Sequence, residues 1–342
     1  MNRTELLSVF KAALVPNPAQ FSQQDADNAV IKAILANCGL NENSSVREIK
    51  AHQDAIFALI EEVIEELLPK KVEDIVGGFS EIKTFARDAE PIFEIKNIGK
   101  ARARLSITEG ARGGIYKARR LDSRTMEVNV KVETVSVFVT LEEILLGTYS
   151  LADLMSNITD GFVERIYINT VKALRTAKAL APAANIESAN GFDAAKVDKL
   201  IAIANGYGKA VIMGFRNAIA KINNGGAWSN VYPNISTADA DEVRNKGIVT
   251  IYKGTPVIEL PNYLADESNS KFVFKEGDIF ILPGDAKPVK VAMKGDLHIE
   301  EVKHPGGSME QNAHRMLGVG LLLANNVCVF TDSDIADTNN LY

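Results

Sequence analysis

Apolar residues return at steps of three and four in the first quarter of the chain, where Ile56, Leu59, Ile60, Val63, Ile64 and Leu67 form one stripe. That period marks a helix with one covered face. Pro16 and Pro18 end a first helix, and Asn41-Glu42-Asn43-Ser44-Ser45 separates a second from a third. Residues 1 to about 75 therefore read as helices joined by turns. From Phe93 the period changes to two: Ile95, Ala101, Ala103, Leu105 and Ile107 are apolar, while Glu94, Lys96, Lys100, Arg102 and Arg104 are charged. This is the alternation of a strand with one covered face. A second run mirrors it, with Met126, Val128, Val130 and Val132 between Glu127, Asn129, Lys131 and Glu133. The parity then slips, and the apolar series resumes at Val135, Val137 and Val139. Such a slip signals a bulge, or the place where a strand passes from one environment to another. Thr108 to Gly114 lies between the two runs and supplies the glycines of a loop tip. The segment reads as a long β-hairpin, or a hairpin with a small extra strand near 115–118.

Ser150, with Asp153 three positions on, opens a long helix in a capping-box-like arrangement. Its stripe is Leu151, Leu154, Ile158, Phe162 and Ile166, continuing through Val171 and Leu174 to about Leu180, where Ala181-Pro182 stops it. Mixed elements follow: a helix over 194–204, a strand over 209–213, a helix over 215–222, and a turn at Asn223-Asn224-Gly225-Gly226. The runs 247–252 and 255–260 flank Lys253-Gly254 as a hairpin. Short strands are predicted at 272–274, 278–282, 289–293 and 297–302. The chain closes with an apolar stretch over 316–330, read as one buried strand, and a polar tail.

Charge is segregated along this pattern. Residues 52–95 carry eleven acids against Lys70, Lys71, Lys83 and Arg87, a net of −7. Residues 96–131 carry ten cations, among them Arg102, Arg104, Arg112, Lys117, Arg119, Arg120 and Arg124, against three acids, a net of +7. Each arm of ~15 residues at ~3.3 Å per residue reaches roughly 50 Å, whereas a body of ~250 residues has a radius of gyration of about 18 Å. A lone two-stranded ribbon is marginal in water. The ribbon is therefore expected to lie on another copy of the chain, its cations against acids such as Glu61, Glu62, Glu65 and Glu66. The alternatives are a solvated acidic helix face and a ribbon folded back as an ordinary meander. Nucleic-acid binding by these cations lacks support, since Tyr116 is the only aromatic residue available there for stacking.

Over all 342 residues the composition is ordinary for a folded chain: 46% hydrophobic, 24% charged and a net charge of −6. The length suggests about two domains. A net acidic chain argues against one that coats nucleic acid. Cys38 and Cys328, far apart, read as small buried hydrophobes of a protein folded in a reducing compartment. No secretory signal is visible, and the apolar segment from Met316 to Ala324 is half the ~18 residues a membrane span needs, so a soluble protein without a membrane partner is expected.

Chemistry-bearing motifs are sparse. G-x-x-x-x-G-K-[ST], G-x-G-x-x-G, G-x-S-x-G and H-E-x-x-H are all missing. Ser268 to Lys271 matches S-x-x-K without an S-D-N partner, and His298 and His304 have no second ligand at a metal-like spacing. The Asp332, Asp334 and Asp337 run lacks the glycine and terminal glutamate of an EF-hand loop. Cys38 and His52 have no orienting acid nearby. No catalytic residue, metal or cofactor is expected, and the chain is not expected to be an enzyme.

The order of parts resembles the major capsid proteins of tailed bacteriophages with the Hong Kong 97 type fold. The residues that carry this are Phe79 to Phe85 leading into an extended loop, Gly110-Ala111-Arg112-Gly113-Gly114 at its tip, Thr140 to Leu145 before a spine helix, Gly254 to Ile258, and His314 to Gly320. The resemblance covers about 75–332. It implies an α+β fold with an N-terminal helical arm (1–90), an extended loop (91–140), a peripheral domain with the spine helix (141–182), an axial domain with peripheral strands (183–305), and a closing strand with a tail (306–342). It further implies self-assembly as pentamers and hexamers into an icosahedral shell that encloses double-stranded DNA without sequence-specific binding. A separate scaffolding protein and a portal are the expected partners, with assembly in the host cytoplasm and residence in the virion capsid. With Met1 present, arm cleavage is expected to be absent, and a covalent cross-link through Lys117 is not expected. Two other classes stay open: an encapsulin-like compartment shell, and a small-oligomer α+β enzyme.

Overall fold

The computed structural model describes residues 51–95, 124–138, 151–224, 246–268, 271–284, 287–303, 309–321 and 326–335, with the single positions Lys32, Ala36, Gly39 and Glu48. Four helices lie within these residues: α1 (Gln53–Val76), α2 (Leu151–Leu180), α3 (Ala194–Asn205) and α4 (Arg216–Asn224). A four-stranded sheet has the order β1 (Ser80–Phe85), β10 (Val289–Lys303), β11 (Met309–Leu321), β4 (Lys131–Phe138). A six-stranded sheet has the order β5 (Ile186–Ala189), β12 (Cys328–Asp332), β9 (Asp278–Pro283), β6 (Ala210–Phe215), β8 (Thr255–Leu260), β7 (Ile251–Tyr252). A separate antiparallel ribbon pairs β2 (Ile92–Ile95) with β3 (Arg124–Glu127).

The two expected apolar stripes meet. On α1, Ile60, Val63, Ile64, Leu68, Val72 and Val76 are buried, and on α2 so are Leu154, Ile158, Phe162, Ile166, Val171 and Leu174. Both stripes join the inner faces of the two sheets in one core. Pro69 sits inside α1 and removes one backbone hydrogen bond. The helix runs through it, with Leu68 and Val72 keeping the buried stripe intact on either side. Within the stretch that the resemblance implies is an N-terminal arm, α1 packs into this core and β1 pairs with β10.

Thirty residues make α2 about 45 Å long, enough to serve both sheets. Near its start, Gly161 lets the helix approach the Val135 methyls of β4, where a Cβ would come within 3.0 Å. Further along, the Tyr167 hydroxyl donates to Pro261 O at 2.6 Å. At the far end, Lys178 reaches the buried Asp278 at 2.8 Å, which also accepts from Thr331. The six-stranded sheet alternates between two cores: Val211, Met213, Phe280, Leu282 and Val329 point toward α2, while Ala210, Ile212, Ile279, Ile281, Cys328 and Phe330 point toward α3 and α4. Burial in this second core pushes the Cys328 thiol up to about 12.

Several expectations change here. The chain changes sheet between Glu127 and Lys131, since β3 pairs with β2 while β4 pairs with β11 from Glu310↔Phe138 to Leu317↔Lys131. The parity slip after Val132 falls inside β4 without a bulge, Val132 being exposed on the outer face while Val135 and Val137 pack on the core. The stretch 131–138, which the resemblance implies is part of the extended loop, pairs with β11 at the edge of the four-stranded sheet. The apolar run 316–330 is two strands in different sheets, β11 and β12, because a long apolar stretch does not by itself say where it turns. Conversely, 289–293 and 297–302 fuse into β10, with an irregularity between Lys294 and His298 where Gly295 adopts φ +70°. Phe272 makes only a bridge to Leu264, so 272–274 is not a strand. The hairpin at Lys253-Gly254 is present, both turn residues having positive φ, as a two-residue hairpin loop requires. Cys38, His304, Ser150 and residues 96–123 lie outside the described residues.

Candidate assembly surface

The root of the ribbon lies across the outer face of the four-stranded sheet. Phe93 of β2 is buried there with Val128 and Ala292, flanked by Phe85, Met126 and Val130. Phe85 and Phe93 meet edge to face at 5.5 Å. Two lysines, Lys83 at 5.1 Å and Lys290 at 6.0 Å, sit over the Phe93 ring. Lys290 is buried and bonds Glu81, which also holds Lys83 at 2.7 Å. Burial pushes the Glu81 carboxyl up, but the two ammonium hydrogen bonds outweigh it and hold the group below its usual range.

Two glycines of β11 make room for this crossing. A Cβ on Gly318 would lie 2.6 Å from Asn129 O and 2.9 Å from a Val130 methyl, and one on Gly320 would lie 3.0 Å from a Val128 methyl. Glycine inside a strand commonly marks a close backbone approach. The Gly-Val-Gly of the His314 to Gly320 stretch carried that signal, although sequence reading drew no such role from it.

On the opposite side, the acids of α1 turn toward the chain's own strands. Glu61 accepts a hydrogen bond from Ile299 N and lies 3.4 Å from His298 Nδ1. Glu65 stands 3.6 Å from Nη2 of Arg315, a fully buried residue of β11. Burial pushes the Glu65 carboxyl up despite that guanidinium, and burial also lowers Arg315. Glu66 pairs with Lys70 one turn along, and Glu62 is half-buried. Glu61 and Glu65, expected to face a neighbour, are thus engaged within the subunit. A cleft of about 420 Å³ opens between α1 and the β10–β11 pair, lined by Arg315, His314, His298, Lys294 and Arg87 with Glu61 and Asp296.

Of the loop residues expected at the surface, Arg124 is in β3, its backbone opposite Ile95. Arg102, Arg104, Arg112, Gly113, Gly114, Lys117, Arg119 and Arg120 lie outside the described residues. Among the described residues no group of acids, histidines and cysteines could hold a metal ion. Ser268 donates to Asp266, which also accepts from Lys271 N, so both ends of the S-x-x-K match are tied to one carboxylate. No described helix is long and apolar enough to cross a membrane.

No curated protein matches the chain. Solved structures similar to it include the acid-stable capsid of Helicobacter pylori bacteriophage KHP30, at 12% identity and a TM-score of 0.49, over 75% of this chain and 90% of that one. The satellite phage P4 procapsid including the size determination (Sid) protein is similar at 12% identity and a TM-score of 0.49, over 84% and 98%. The holo-SrpI encapsulin complex of Synechococcus elongatus PCC 7942 is similar at 13% identity and a TM-score of 0.43, over 75% and 88%. A family model described as "SPbeta prophage-derived putative capsid protein YonB" matches residues 6–319. With that match spanning most of the 342 residues, the chain belongs to the YonB family of prophage-derived capsid proteins.

Proposed function

We propose that this chain is the major capsid protein of a tailed bacteriophage, folded in the Hong Kong 97 manner and assembled as pentamers and hexamers into an icosahedral shell around double-stranded DNA. Membership of the capsid family over 6–319 carries this reading. The order of α1, a two-stranded ribbon, the long α2 and two sheets supports it. A separate scaffolding protein and a portal assist assembly in the host cytoplasm, and the product resides in the virion capsid. Its work is structural, not catalytic, and the net charge of −6 suits containment of DNA better than tight binding.

The ribbon beyond its root reaches a neighbour. Its cations, Arg102, Arg104, Arg112, Lys117, Arg119, Arg120 and Arg124, meet a neighbour's acids, with Gly113 and Gly114 turning the tip. Glu61 and Glu65 are held inside their own subunit, so the neighbour's acids that meet these cations include others than those two. Each neighbour pair buries on the order of 2,000 Å² or more.

The deciding experiment deletes residues 96–123 and retains β3 and 128–130, which fill the small core around Phe93. The full chain is expected to form particles tens of nanometres across by negative-stain microscopy. The deletion is expected to leave soluble subunits with unchanged far-UV circular dichroism. Normal particles from the deleted chain would remove the overlap argument, and a stable dimer of the full chain at high concentration would remove the shell.

A further inference from the structure

We propose that the cleft beside Arg315 is a docking site for a carboxylate side chain of a second copy of this chain, an inference that rests on the shell reading above. The guanidinium is the reason. Arg315 is fully buried, and its Nε, Nη1 and Nη2 have no hydrogen-bond acceptor among the described residues. The nearest carboxylate, on Glu65, stands 3.6 Å away, outside hydrogen-bonding range. A buried charge without bonded partners is costly to the isolated subunit, and a retained one calls for an explanation. A planar guanidinium fork matches a carboxylate with two parallel hydrogen bonds.

The surroundings select the ligand. Arg87 and Lys294 add positive charge to the cleft, while Glu61 and Asp296 line it too and Glu65 backs the guanidinium. With Arg315 these are three cations against three carboxylates, so the cleft is near neutral without a ligand, and a dianion such as phosphate would add two uncompensated charges where a single carboxylate adds one. Entry is open on the side of His298, whose side chain is 75% exposed. His314, by contrast, is tethered by a 2.9 Å hydrogen bond between Nδ1 and Thr134. Val132, 60% exposed in β4, lines the cleft five residues after the ribbon root ends. An apolar contact and an ion pair are thus offered side by side next to the segment that leads to the neighbour. A capsid family supplies the second copy, since its members form shells of many identical chains.

The test uses the full-length chain with Arg315→Met and Arg315→Lys, assayed by sedimentation and negative-stain microscopy for shells and by thermal melting for unassembled subunits. Arg315→Met subunits are expected to melt no lower than wild type, because the unbonded charge is gone, yet to yield roughly tenfold fewer shells. Arg315→Lys, which keeps the charge and loses the fork, is expected to fall between. Wild-type yield from Arg315→Met would overturn the site. A marked fall in its melting temperature would also overturn it, since Arg315 would then serve the fold. A density map of the wild-type shell gives the second readout: a neighbour's carboxylate within about 3 Å of the guanidinium supports the site, and Glu65 of the same chain or a free ion alone in contact overturns it. If the wild-type chain forms no shells, the shell reading fails first and this one with it.

Discussion

The two sheets share α2 and a core, but they are completed in different ways. In the six-stranded sheet, every residue of β6 and of β9 is buried, with α3 and α4 covering one face and α2 the other. Its charged groups, such as Asp278 with Lys178, are bonded at its margin. The four-stranded sheet is apolar only on its inner face. Its outer face is covered by a ribbon root through one small core, a buried lysine and two glycines. Its β11 also carries a buried arginine whose guanidinium has no hydrogen bond among the described residues. The six-stranded side is covered on both faces by helices of its own chain, although it too holds a buried polar atom, Asn326 Oδ1, with no hydrogen bond among the described residues. The four-stranded side, by contrast, retains the buried guanidinium of Arg315 beside a cleft and an edge strand that a neighbour can complete. Contact between subunits is therefore expected to centre on the second region, and the first to serve as the rigid body.

The largest effect should come from striking what the two regions share. Phe162→Ala, in the buried stripe of α2, is expected to cost about 3–5 kcal/mol. Urea unfolding should show both sheets lost in one transition, and separate transitions would break the picture of a common core. Next is Gly318→Val. Its side chain would meet Asn129 O and Val130, at an overpacking cost of roughly 1–3 kcal/mol. Hydrogen exchange should rise over 92–95 and 124–130 while β6 and β9 stay protected.

The smallest effects concern two carboxyls of opposite sign. Glu81 is held below its ordinary value of 4.5, so its contribution is present at neutral pH and is lost as pH falls through the folded value. Glu81→Gln should cost up to about 1 kcal/mol near neutrality and nothing in strong acid. Glu65 is raised above 4.5, so its contribution is present in acid and is lost as pH rises through the folded value. Glu65→Gln should flatten that part of the profile. Melting curves over this pH range check both, and parallel profiles for the two variants would erase the distinction between a satisfied pair and an unfinished one.

Local pattern anticipated much of this architecture. The stripes of α1 and α2, the hairpin at Lys253-Gly254, and the strands near 209–213 and 278–282 were legible because each depends on a period or a turn within a few residues. The candidate site was less so. The acids of α1 stood out by charge, but charge does not say whether a carboxylate meets solvent, a neighbour or its own chain, and Glu61 turned out to bond Ile299, 238 residues away. Arg315 stood just outside the apolar stretch read as a strand from 316, and nothing local distinguishes a buried guanidinium from an exposed one.

By itself, then, the order of apolar and polar positions determined which stretches become helices and strands, where the chain turns, and that positive and negative charge would be separated along it. Tertiary structure alone decided that 131–138 leaves the ribbon for β11, that the last apolar run is divided between two sheets, and that Arg315 is enclosed beside Glu65. The physical reason is that a period reports which face of an element is covered. The covering partner is chosen by packing and hydrogen bonding between segments far apart in the chain.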